Sequence, residues 1–230
     1  MTTSPYLPDP SDKAATVEAM FDRVAPKYDR LNRLLTLRLD VAWRRAAIRE
    51  IEKPAGSLVI DLACGTGDMC NDLITAHYCA IGFDFSAGML KAATTASPLV
   101  RADVLRLPAP TNSVDAITCG FALRNFTALE PFFAECARVL RPDGRVVLLD
   151  VGEPKSKLLR FGHKIYFRKI VPFIGGLLSD RAAYSYLPAS TAYLPESREL
   201  VDMVRVAGFR NVTHRRYGLG AAQLVVGTAL

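Results

Sequence analysis

The chain has 230 residues, 50% of them hydrophobic, and it carries a formal net charge of +6 at pH 7. A chain of this length can bury one substantial core, so we expect a single domain, and its longest uncharged apolar run is too short to span a bilayer. Five cysteines without a Cys-x-x-Cys pair, and three histidines far apart in sequence, argue for reduced thiols and against a metal site. The basic residues form no long run and the N-terminus has no secretory pattern, so we expect a cytoplasmic protein that does not bind nucleic acid.

The chain begins with an arm and a helical segment. Residues 1–12 are rich in Pro, Ser and Asp, which predicts a flexible arm without a chemical role. From Lys13 to Glu52 the apolar residues recur at helical spacing, which predicts two or three helices that cap the edge of a sheet. We expect this helical cap over 13–52 to form part of one domain that covers residues 13–230.

Strands and helices then alternate as they do in a parallel sheet. Short apolar runs predict strands near 58–62, 79–84, 98–102, 114–119 and 144–150, and the segments between them predict helices near 68–76, 87–94 and 127–140. The sequence Pro142-Asp143-Gly144 is typical of a turn and is expected to lead into the fifth strand.

After Asp150 the pattern changes, because residues 152–196 combine helical apolar periodicity with basic residues and tyrosines. We expect a helical lid inserted over the site, followed by a helix near 197–207 and two strands near 211–217 and 221–228 that form a hairpin around Gly218-Leu219-Gly220. The fold class is therefore α/β, with a Rossmann-like, seven-stranded, mostly parallel sheet, helices on both faces and a C-terminal antiparallel hairpin.

The first strand of the sheet leads into a glycine-containing turn that is typical of nucleotide binding. Asp61 near the end of the strand is followed by Gly65, Thr66 and Gly67, and the glycines allow a ligand to approach the backbone closely. The third glycine of a dinucleotide fingerprint is replaced by Cys70, which disfavours a nicotinamide cofactor. S-adenosylmethionine fits better, with its ammonium near Asp61 and its carboxylate near the amides of the loop.

The ends of the next strands supply the remaining cofactor candidates. Asp84 follows about 20 residues later, where such folds place the acceptor for ribose hydroxyls. Asp103 can accept a hydrogen bond from the adenine amino group, Val104 can pack on the ring, and Gly120 leaves room at the sheet edge. Each of these residues alone is more often a helix cap or a loop residue. Ligands of open α/β sheets, however, bind at the carboxyl ends of the strands, and the candidates follow four successive strands in the order that this rule requires.

Several segments carry a more specific similarity. They are Met20–Asp29 with Asn32 and Trp43–Arg45, then Asp61–Asp68, Phe121–Asn125 and Arg138–Gly144. On these segments the chain resembles the ubiquinone/menaquinone biosynthesis C-methyltransferases from about Val17 to Gly227. The resemblance implies a class I methyltransferase fold, S-adenosylmethionine as cofactor, and a lipophilic quinol or phenolic acceptor. It also implies cofactor contacts at Thr66, Asp84, Asp103, Val104 and Gly120.

The chain departs from the pattern of that family at three places. Gly120 stands where Ser is common, Ala189-Ser190-Thr191-Ala192 replaces Glu-Ser-Ile-Arg, and Gly218-Leu219-Gly220 replaces Thr-Gly-Gly, with Val225 where His is usual. The departures concern the expected substrate end, so a paralogue that methylates another phenol or a polyketide is an open alternative. A protein that binds the cofactor without turnover is a third hypothesis, and nucleic-acid methylation is a distant fourth because its Asn/Asp-Pro-Pro-Tyr/Phe signature is absent.

Three residues are the catalytic candidates of the quinol hypothesis. Methylation of a ring carbon needs an electron-rich acceptor, and a cation beside the acceptor oxygen favours its ionised form. We expect Arg124 to be that cation, Asn125 to hydrogen-bond the acceptor oxygen and Tyr28 to close the site. The structural alternatives are an ion pair for Arg124, a helix cap for Asn125 and plain packing for Tyr28.

The segment Leu158–Lys169 mixes apolar, aromatic and basic residues. This composition fits an interfacial helix, with peripheral membrane contact through 155–181 at the inner face of the membrane, and it equally fits a lid helix whose cations face water. The oligomeric state stays open, with a homodimer as one candidate.

Overall fold

The computed structural model describes residues 8–9, 12–154, 156, 160–162 and 181–230. Its strands are β1 (Leu58–Leu62), β2 (Cys79–Asp84), β3 (Leu99–Arg101), β4 (Val114–Gly120), β5 (Leu140–Val151), β6 (Phe209–Tyr217) and β7 (Ala222–Ala229). They form one seven-stranded sheet in the order β3-β2-β1-β4-β5-β7-β6.

The described helices precede, separate and follow these strands. They are α1 (Lys13–Val24), α2 (Tyr28–Leu35), α3 (Leu39–Arg49), α4 (Asp68–Thr75), α5 (Ala87–Ala92), α6 (Leu129–Val139), α7 (Arg181–Ser190) and α8 (Ser197–Val206). Short 3-10 turns occur at Ala25–Lys27, Leu123–Asn125, Thr191–Tyr193 and Gly218–Gly220. The start of α5 has a local cause, because the hydroxyl of Ser86 accepts a hydrogen bond from the amide of Met89 at 3.0 Å.

The pairing of the strands confirms the expected fold class. β1, β2, β3, β4 and β5 run parallel to their neighbours, whereas β7 pairs antiparallel with both β5 and β6. The turn Gly218–Gly220 joins β6 to β7 as the expected hairpin. Since β1, β2 and β4 are adjacent and parallel, their carboxyl ends meet at one edge of the sheet.

The start of the fifth strand was predicted wrongly. β5 begins at Leu140, which pairs with Val114, and the register then shifts so that Ala116 pairs with Arg145. The turn-like sequence Pro142-Asp143-Gly144 is therefore an irregularity within the strand, with Asp143 at φ 63°. Leu140 is buried, and its burial keeps the chain in the sheet before the irregularity.

Two apolar clusters cover the two faces of the sheet. On one face, Phe132 and Phe133 of α6 and Leu200 of α8 pack with Ile60 and Ile117. Neighbouring strand residues alternate to the other face, because successive side chains of a strand point to opposite sides. The second cluster contains Val59, Ala116, Val147 and Leu149 of the strands and Leu73 of α4.

The N-terminal helices divide between the carboxyl edge of the sheet and one of its faces. α3 packs on a face of the sheet rather than at its edge, because Trp43, Ala47 and Ile48 join the cluster that contains the central strand residues Val59 and Val147. α1 and α2 form a third apolar cluster together with residues of α5 and α7, and among its members are Met20, Val24, Leu31, Leu35, Met89 and Tyr186. The N-terminal helices thus cover the carboxyl ends of the strands as well as one face.

Two sequence expectations fall largely on residues outside the described ranges. They are the arm at 1–12 and the membrane-contact segment at 155–181, and the lid expected over 152–196 is described only in part. Within the described part of the chain, no helix combines the length and apolarity that crossing a membrane requires.

Candidate functional site

A cleft opens at the carboxyl ends of the parallel strands, beneath α1 and α2. It holds about 1250 Å³ of space when the solvent at its mouth is included. Its walls contain the predicted residues Tyr28, Asp61, Gly65, Thr66, Asp84, Asp103, Val104, Gly120 and Asn125. Gly67 and Arg124 lie behind the walls. The structure therefore brings nine of the predicted residues to one cavity.

Asp61 presents a carboxyl group at the floor of the cleft. Its Oδ1 accepts a hydrogen bond from the Thr118 hydroxyl at 2.7 Å, and the Cys70 thiol lies 3.8 Å from Oδ2. Burial, and to a lesser extent the nearby charge of Asp84, raises the pKa of Asp61 to about 7. A cation that entered the cleft beside this group would favour its ionised form.

The loop after β1 is shaped by two glycines in the left-handed region. Gly65 has φ 55° and Gly67, at the start of α4, has φ 89°. A Cβ atom on Gly67 would lie 2.6 Å from Cγ2 of Thr95, so only glycine fits there. The Thr66 hydroxyl donates a hydrogen bond to Oδ1 of Asp29 at 2.5 Å, which ties the loop to α2.

Asp84 ends β2 and is fixed by the backbone around it. Its Oδ2 accepts the amide hydrogen of Gly65 at 2.7 Å, and its Oδ1 accepts the amide hydrogen of Ser86 at 2.8 Å. Burial raises the pKa of Asp84, while these amides counteract the shift. The carboxylate is held in one orientation at the wall of the cleft, and each oxygen retains a lone pair for a ligand hydroxyl.

The far end of the cleft is more exposed. Asp103 is exposed, and its Oδ1 accepts only the amide hydrogen of Leu105, at 2.9 Å, among the described contacts. Val104 beside it is buried and offers an apolar wall. A Cβ atom on Gly120 would approach Cε of Met69 to 3.3 Å, so the glycine keeps space at the end of β4.

An ionic network fastens the N-terminal helices to α4 next to the cleft. The guanidinium of Arg44 binds Asp40 at 2.7 Å, Asp72 at 2.8 Å and Asp68 at 3.3 Å. Arg33 binds the other oxygen of Asp68 at 2.7 Å. Because Asp68 follows the glycine loop directly, the network holds that loop against α2 and α3.

The opposite wall of the cleft contains Tyr28 and Asn125. The hydroxyl of Tyr186, from α7, donates a hydrogen bond to Oδ1 of Asn125 at 3.3 Å. This contact leaves the amide NH₂ of Asn125 as the group available to a ligand. Burial raises the pKa of Tyr28, and the positive charge of Arg124 opposes that shift. Burial also raises the pKa of Tyr186 to about 12, so its hydroxyl stays protonated and can donate.

Arg124 is buried behind this wall, only 3% exposed. Its guanidinium donates to Oδ1 of Asp150 and to the carbonyl oxygen of Phe121, each at 2.6 Å. Nε of Arg124 and Oδ2 of Asp150 have no partner in the described structure. The expectation placed this cation beside an acceptor oxygen, whereas the structure pairs it with Asp150 at the end of β5.

The sequence reasoning missed four residues at or near the cleft, namely Asp29, Arg44, Asp150 and Tyr186. Asp29 and Arg44 were visible as part of the N-terminal segments that carry the family resemblance. No local pattern marks Tyr186 or Asp150, because each acts through a partner distant in sequence. Among the described residues, no group of three or more His, Cys, Asp or Glu side chains is arranged to hold a metal ion.

Known sequences are similar to this chain over nearly its whole length. The family model described as the ubiE/COQ5 methyltransferase family matches residues 10–229. The demethylmenaquinone methyltransferase of Roseiflexus castenholzii is 42% identical, over 96% of this chain and 96% of its own length. The ubiquinone/menaquinone biosynthesis C-methyltransferase UbiE of Syntrophotalea carbinolica is 38% identical, over 90% of this chain and 92% of its own length.

Solved structures share the fold at low sequence identity. An S-adenosylmethionine-dependent methyltransferase from Thermotoga maritima has a TM-score of 0.68 at 18% identity, covering 93% of this chain and 99% of its own. Phosphoethanolamine N-methyltransferase 2 of Haemonchus contortus, in complex with S-adenosyl-L-methionine, has a TM-score of 0.61 at 13% identity, covering 81% of this chain and 52% of its own. These likenesses concern the fold.

Proposed function

The chain belongs to the ubiE/COQ5 methyltransferase family, and from that premise we propose that its cleft transfers a methyl group from S-adenosylmethionine to a ring carbon of a demethylmenaquinol-like isoprenoid quinol. The relatives that carry such names align over nearly the whole chain, the cleft included. The cleft residues are assigned to two halves. The cofactor half consists of the residues at and after the ends of β1, β2, β3 and β4, and the acceptor half consists of Tyr28, Asn125 and their neighbours.

The donor set of the cofactor half fits the cofactor, which supplies an activated methyl group on a sulfonium sulfur when it is bound. Asp61 would receive the ammonium group, since a buried carboxyl is a partner for a cation rather than an anion. Asp84 would accept both ribose hydroxyls through its fixed oxygens. Asp103 would accept from the adenine amino group and Val104 would pack on the ring.

The acceptor half would orient the quinol ring. Asn125 would donate its amide NH₂ to the acceptor oxygen, because its own oxygen is engaged by Tyr186. Tyr28 would pack against the ring from α2 and exclude water. Holding the ring carbon in line with the methyl group turns an encounter of two molecules into a step within one complex, and such positioning supplies much of the rate enhancement.

Arg124 would act as a positioning residue from behind the wall. Its cation opposes the upward pKa shifts of Tyr28 and Tyr186, so its field reaches the acceptor half, although the carboxylates of Asp29, Asp84 and Asp150 reinforce the shift of Tyr28 and reduce the net effect. In a dry site this field favours the anionic acceptor, and an anionic quinol has a more nucleophilic ring carbon. Asp150 holds the guanidinium in place without lining the cleft.

Two of the three departures from the family pattern lie outside the acceptor half, whereas the third, Ala189–Ala192, lies in and directly after α7, the helix of Tyr186. Val225 is 1% exposed and packs in the core, and Gly218 lies against Trp43. Neither residue lines the cleft. Gly120 does line it, on the cofactor half, where the smaller side chain leaves space for the cofactor rather than changing the acceptor half.

The observation that carries the proposal is the oriented amide of Asn125 in the same cleft as Asp61 and Asp84. The test is to incubate the protein in detergent with labelled S-adenosylmethionine and either reduced demethylmenaquinone or a soluble catechol. We expect label in the prenylated quinol, and we expect Asn125→Ala to lose turnover while the surface control Asn211→Gly keeps it. Label only in the catechol, or equal turnover of the Asn125→Ala variant, would contradict the proposal.

A further inference from the structure

The end of α2, the turn that follows it and the start of α3 together expose three leucines. Leu34 is 49% exposed, Leu37 is 75% exposed and Leu39 is 45% exposed. Single exposed leucines are ordinary on a protein surface, but three within six residues form a patch that needs an explanation. Leu37 and Arg38 also have left-handed backbone conformations, with φ 52° and φ 63°. The chain therefore holds an apolar side chain in solvent at a strained position, where folding gains nothing from it.

The same segment accounts for most of the net positive charge of the protein. Residues 25–49 contain seven basic and two acidic residues, a net charge of +5 in a chain whose formal total is +6. The two acidic residues are engaged, because Asp29 accepts a hydrogen bond from Thr66 and Asp40 is buried against Arg44. Neither carboxylate forms an ion pair with the exposed arginines of this segment.

Three exposed arginines lie in the same segment as the leucines. Arg30, Arg38 and Arg45 make no ion pair or side-chain hydrogen bond with the described part of the chain. By contrast, Arg33 and Arg44 point inward and fasten the segment to Asp68. These ion pairs thus hold in place a surface whose apolar part is the exposed leucines and whose cationic rim is the exposed arginines.

We propose that this surface, Leu34, Leu37 and Leu39 with Arg30, Arg38 and Arg45, docks the protein on an anionic lipid bilayer. A cationic rim is attracted to anionic headgroups, and leucines gain free energy by entering the boundary of the acyl chains. A polyanion such as nucleic acid would use the arginines but would leave the leucines in water. The combination of both groups therefore favours a lipid surface over a nucleic acid.

The docking surface lies close to the cleft, so docking would bring the acceptor half near the bilayer. Tyr28 and Asn32 of α2 line the cleft, and Leu34 follows two residues later on the same short helix. An eight-residue helix is about 12 Å long, so the docked surface lies close to the acceptor half. A lipophilic acceptor could enter the cleft without leaving the bilayer completely. This consequence rests on the proposed function, whereas bilayer docking itself does not.

The test is cosedimentation of the full chain with vesicles of phosphatidylcholine mixed with phosphatidylglycerol, compared with vesicles of phosphatidylcholine alone. Each arginine near an anionic surface contributes about fivefold in affinity, so Arg30→Gln/Arg38→Gln/Arg45→Gln is expected to bind roughly a hundredfold more weakly. Leu34→Gln/Leu37→Asn is expected to bind at least about tenfold more weakly. Asparagine suits the left-handed conformation at position 37, so this variant should fold.

The matched control is Val206→Asn. Val206 of α8 is 88% exposed but lies in a surface recess lined by Glu199 and Asp202, so its replacement should leave vesicle binding unchanged. Loss of binding in both the arginine and the leucine variants, with the control unaffected, supports the proposal. Binding that depends on the arginines alone, equal binding to neutral vesicles, or no vesicle binding would overturn it.

Two further measurements, melting temperature and gel filtration, test whether the leucines contact the protein itself or a second copy instead of a lipid surface. A fall in melting temperature of the leucine variant by several degrees would mean that the leucines pack within the protein, and a loss of self-association on gel filtration would mean that they join two copies. Either result would overturn lipid docking. Quinol turnover in detergent is measured separately, so failure of the docking and failure of the proposed reaction are distinguishable.

Discussion

Asp84 in the cofactor half of the cleft and Asn125 in the acceptor half are held by different kinds of contact. In the cofactor half, Asp84 is fixed by backbone amides of Gly65 and Ser86, and the loop conformation depends on glycines. In the acceptor half, side chains hold side chains, with Tyr186 on Asn125 and Asp150 on Arg124. Backbone contacts survive most substitutions, whereas a side-chain pair is lost by changing one residue. The contacts of the acceptor half are therefore the ones that a single substitution can most easily remove.

The largest effect is expected from breaking the buried ion pair of the acceptor half. Arg124→Met leaves the Asp150 carboxylate buried without its cation, which should lower the free energy of unfolding by about 3–5 kcal/mol. The double variant Arg124→Met/Asp150→Leu should recover most of this loss, because no unpaired charge remains. Urea unfolding measures all three proteins. The control is Arg205→Met, whose pair with Asp202 is 56% exposed on both sides and should change stability by less than about 1 kcal/mol.

A smaller effect is expected on cofactor binding when Asp84 is removed. Asp84→Ala loses the acceptor for the ribose hydroxyls and should weaken S-adenosylmethionine binding about a hundredfold. Asp103 is exposed and makes one described hydrogen bond, so Asp103→Ala should weaken binding by only about tenfold. Titration calorimetry of both variants gives the two affinities. Equal losses would contradict the assignment of Asp84 as the more rigid of the two ligands.

The raised pKa of Asp61 predicts that both the stability of the protein and its affinity for the cofactor depend on pH. Its pKa is about 7 in the folded protein, against about 3.9 in an unfolded chain, so the folded state binds the extra proton between these values. Its contribution to stability therefore falls as the pH rises from about 4 to 7. Cofactor binding should change in the opposite direction, because the ammonium group needs the ionised carboxylate.

Affinity for S-adenosylmethionine should rise by up to about tenfold per pH unit below pH 7 and level off above it. In Asp61→Asn this rise should disappear and the affinity should be low throughout. Calorimetry over the same pH range measures both proteins. A wild-type affinity that does not change between about pH 5.5 and 7.5, the window set by the shifted pKa, would refute the role of Asp61.

The smallest effect is expected for the hydroxyl that orients Asn125. Tyr186→Phe frees the amide to rotate and should lower turnover of the quinol about fivefold, with S-adenosylmethionine affinity unchanged. Steady-state kinetics with both substrates separates the two quantities. Weaker cofactor binding in this variant would show that the two halves of the cleft are not independent.

The cofactor half could be predicted from sequence because its signals are local. Asp61, Gly65 and Gly67 lie within one strand and its loop, and Asp84 follows at the end of the next strand, so chain order alone places them at one edge of the sheet. The fold class was confirmed for the same reason. The start of β5 was wrong because burial of Leu140 outweighed the turn-forming sequence that follows it.

The acceptor half could not be predicted in this way, because its contacts join distant segments. Tyr186 reaches Asn125 across 61 positions of the chain, and Asp150 reaches Arg124 across 26. A sequence pattern predicts a helix or a strand, but it does not identify which side chains of other elements that helix or strand will contact. The placement of α3 on the sheet face has the same origin, since Trp43 packs where the central strands leave apolar surface.

The most direct test of the account is to locate the methyl group in the product. The protein is incubated with methyl-deuterated S-adenosylmethionine and reduced demethylmenaquinone, and the product is examined by mass spectrometry and NMR. The account predicts a deuterated methyl group on the ring carbon, formed at a rate that falls in Tyr186→Phe. A methyl group on a hydroxyl oxygen, or no product from a protein that binds the cofactor, would contradict it.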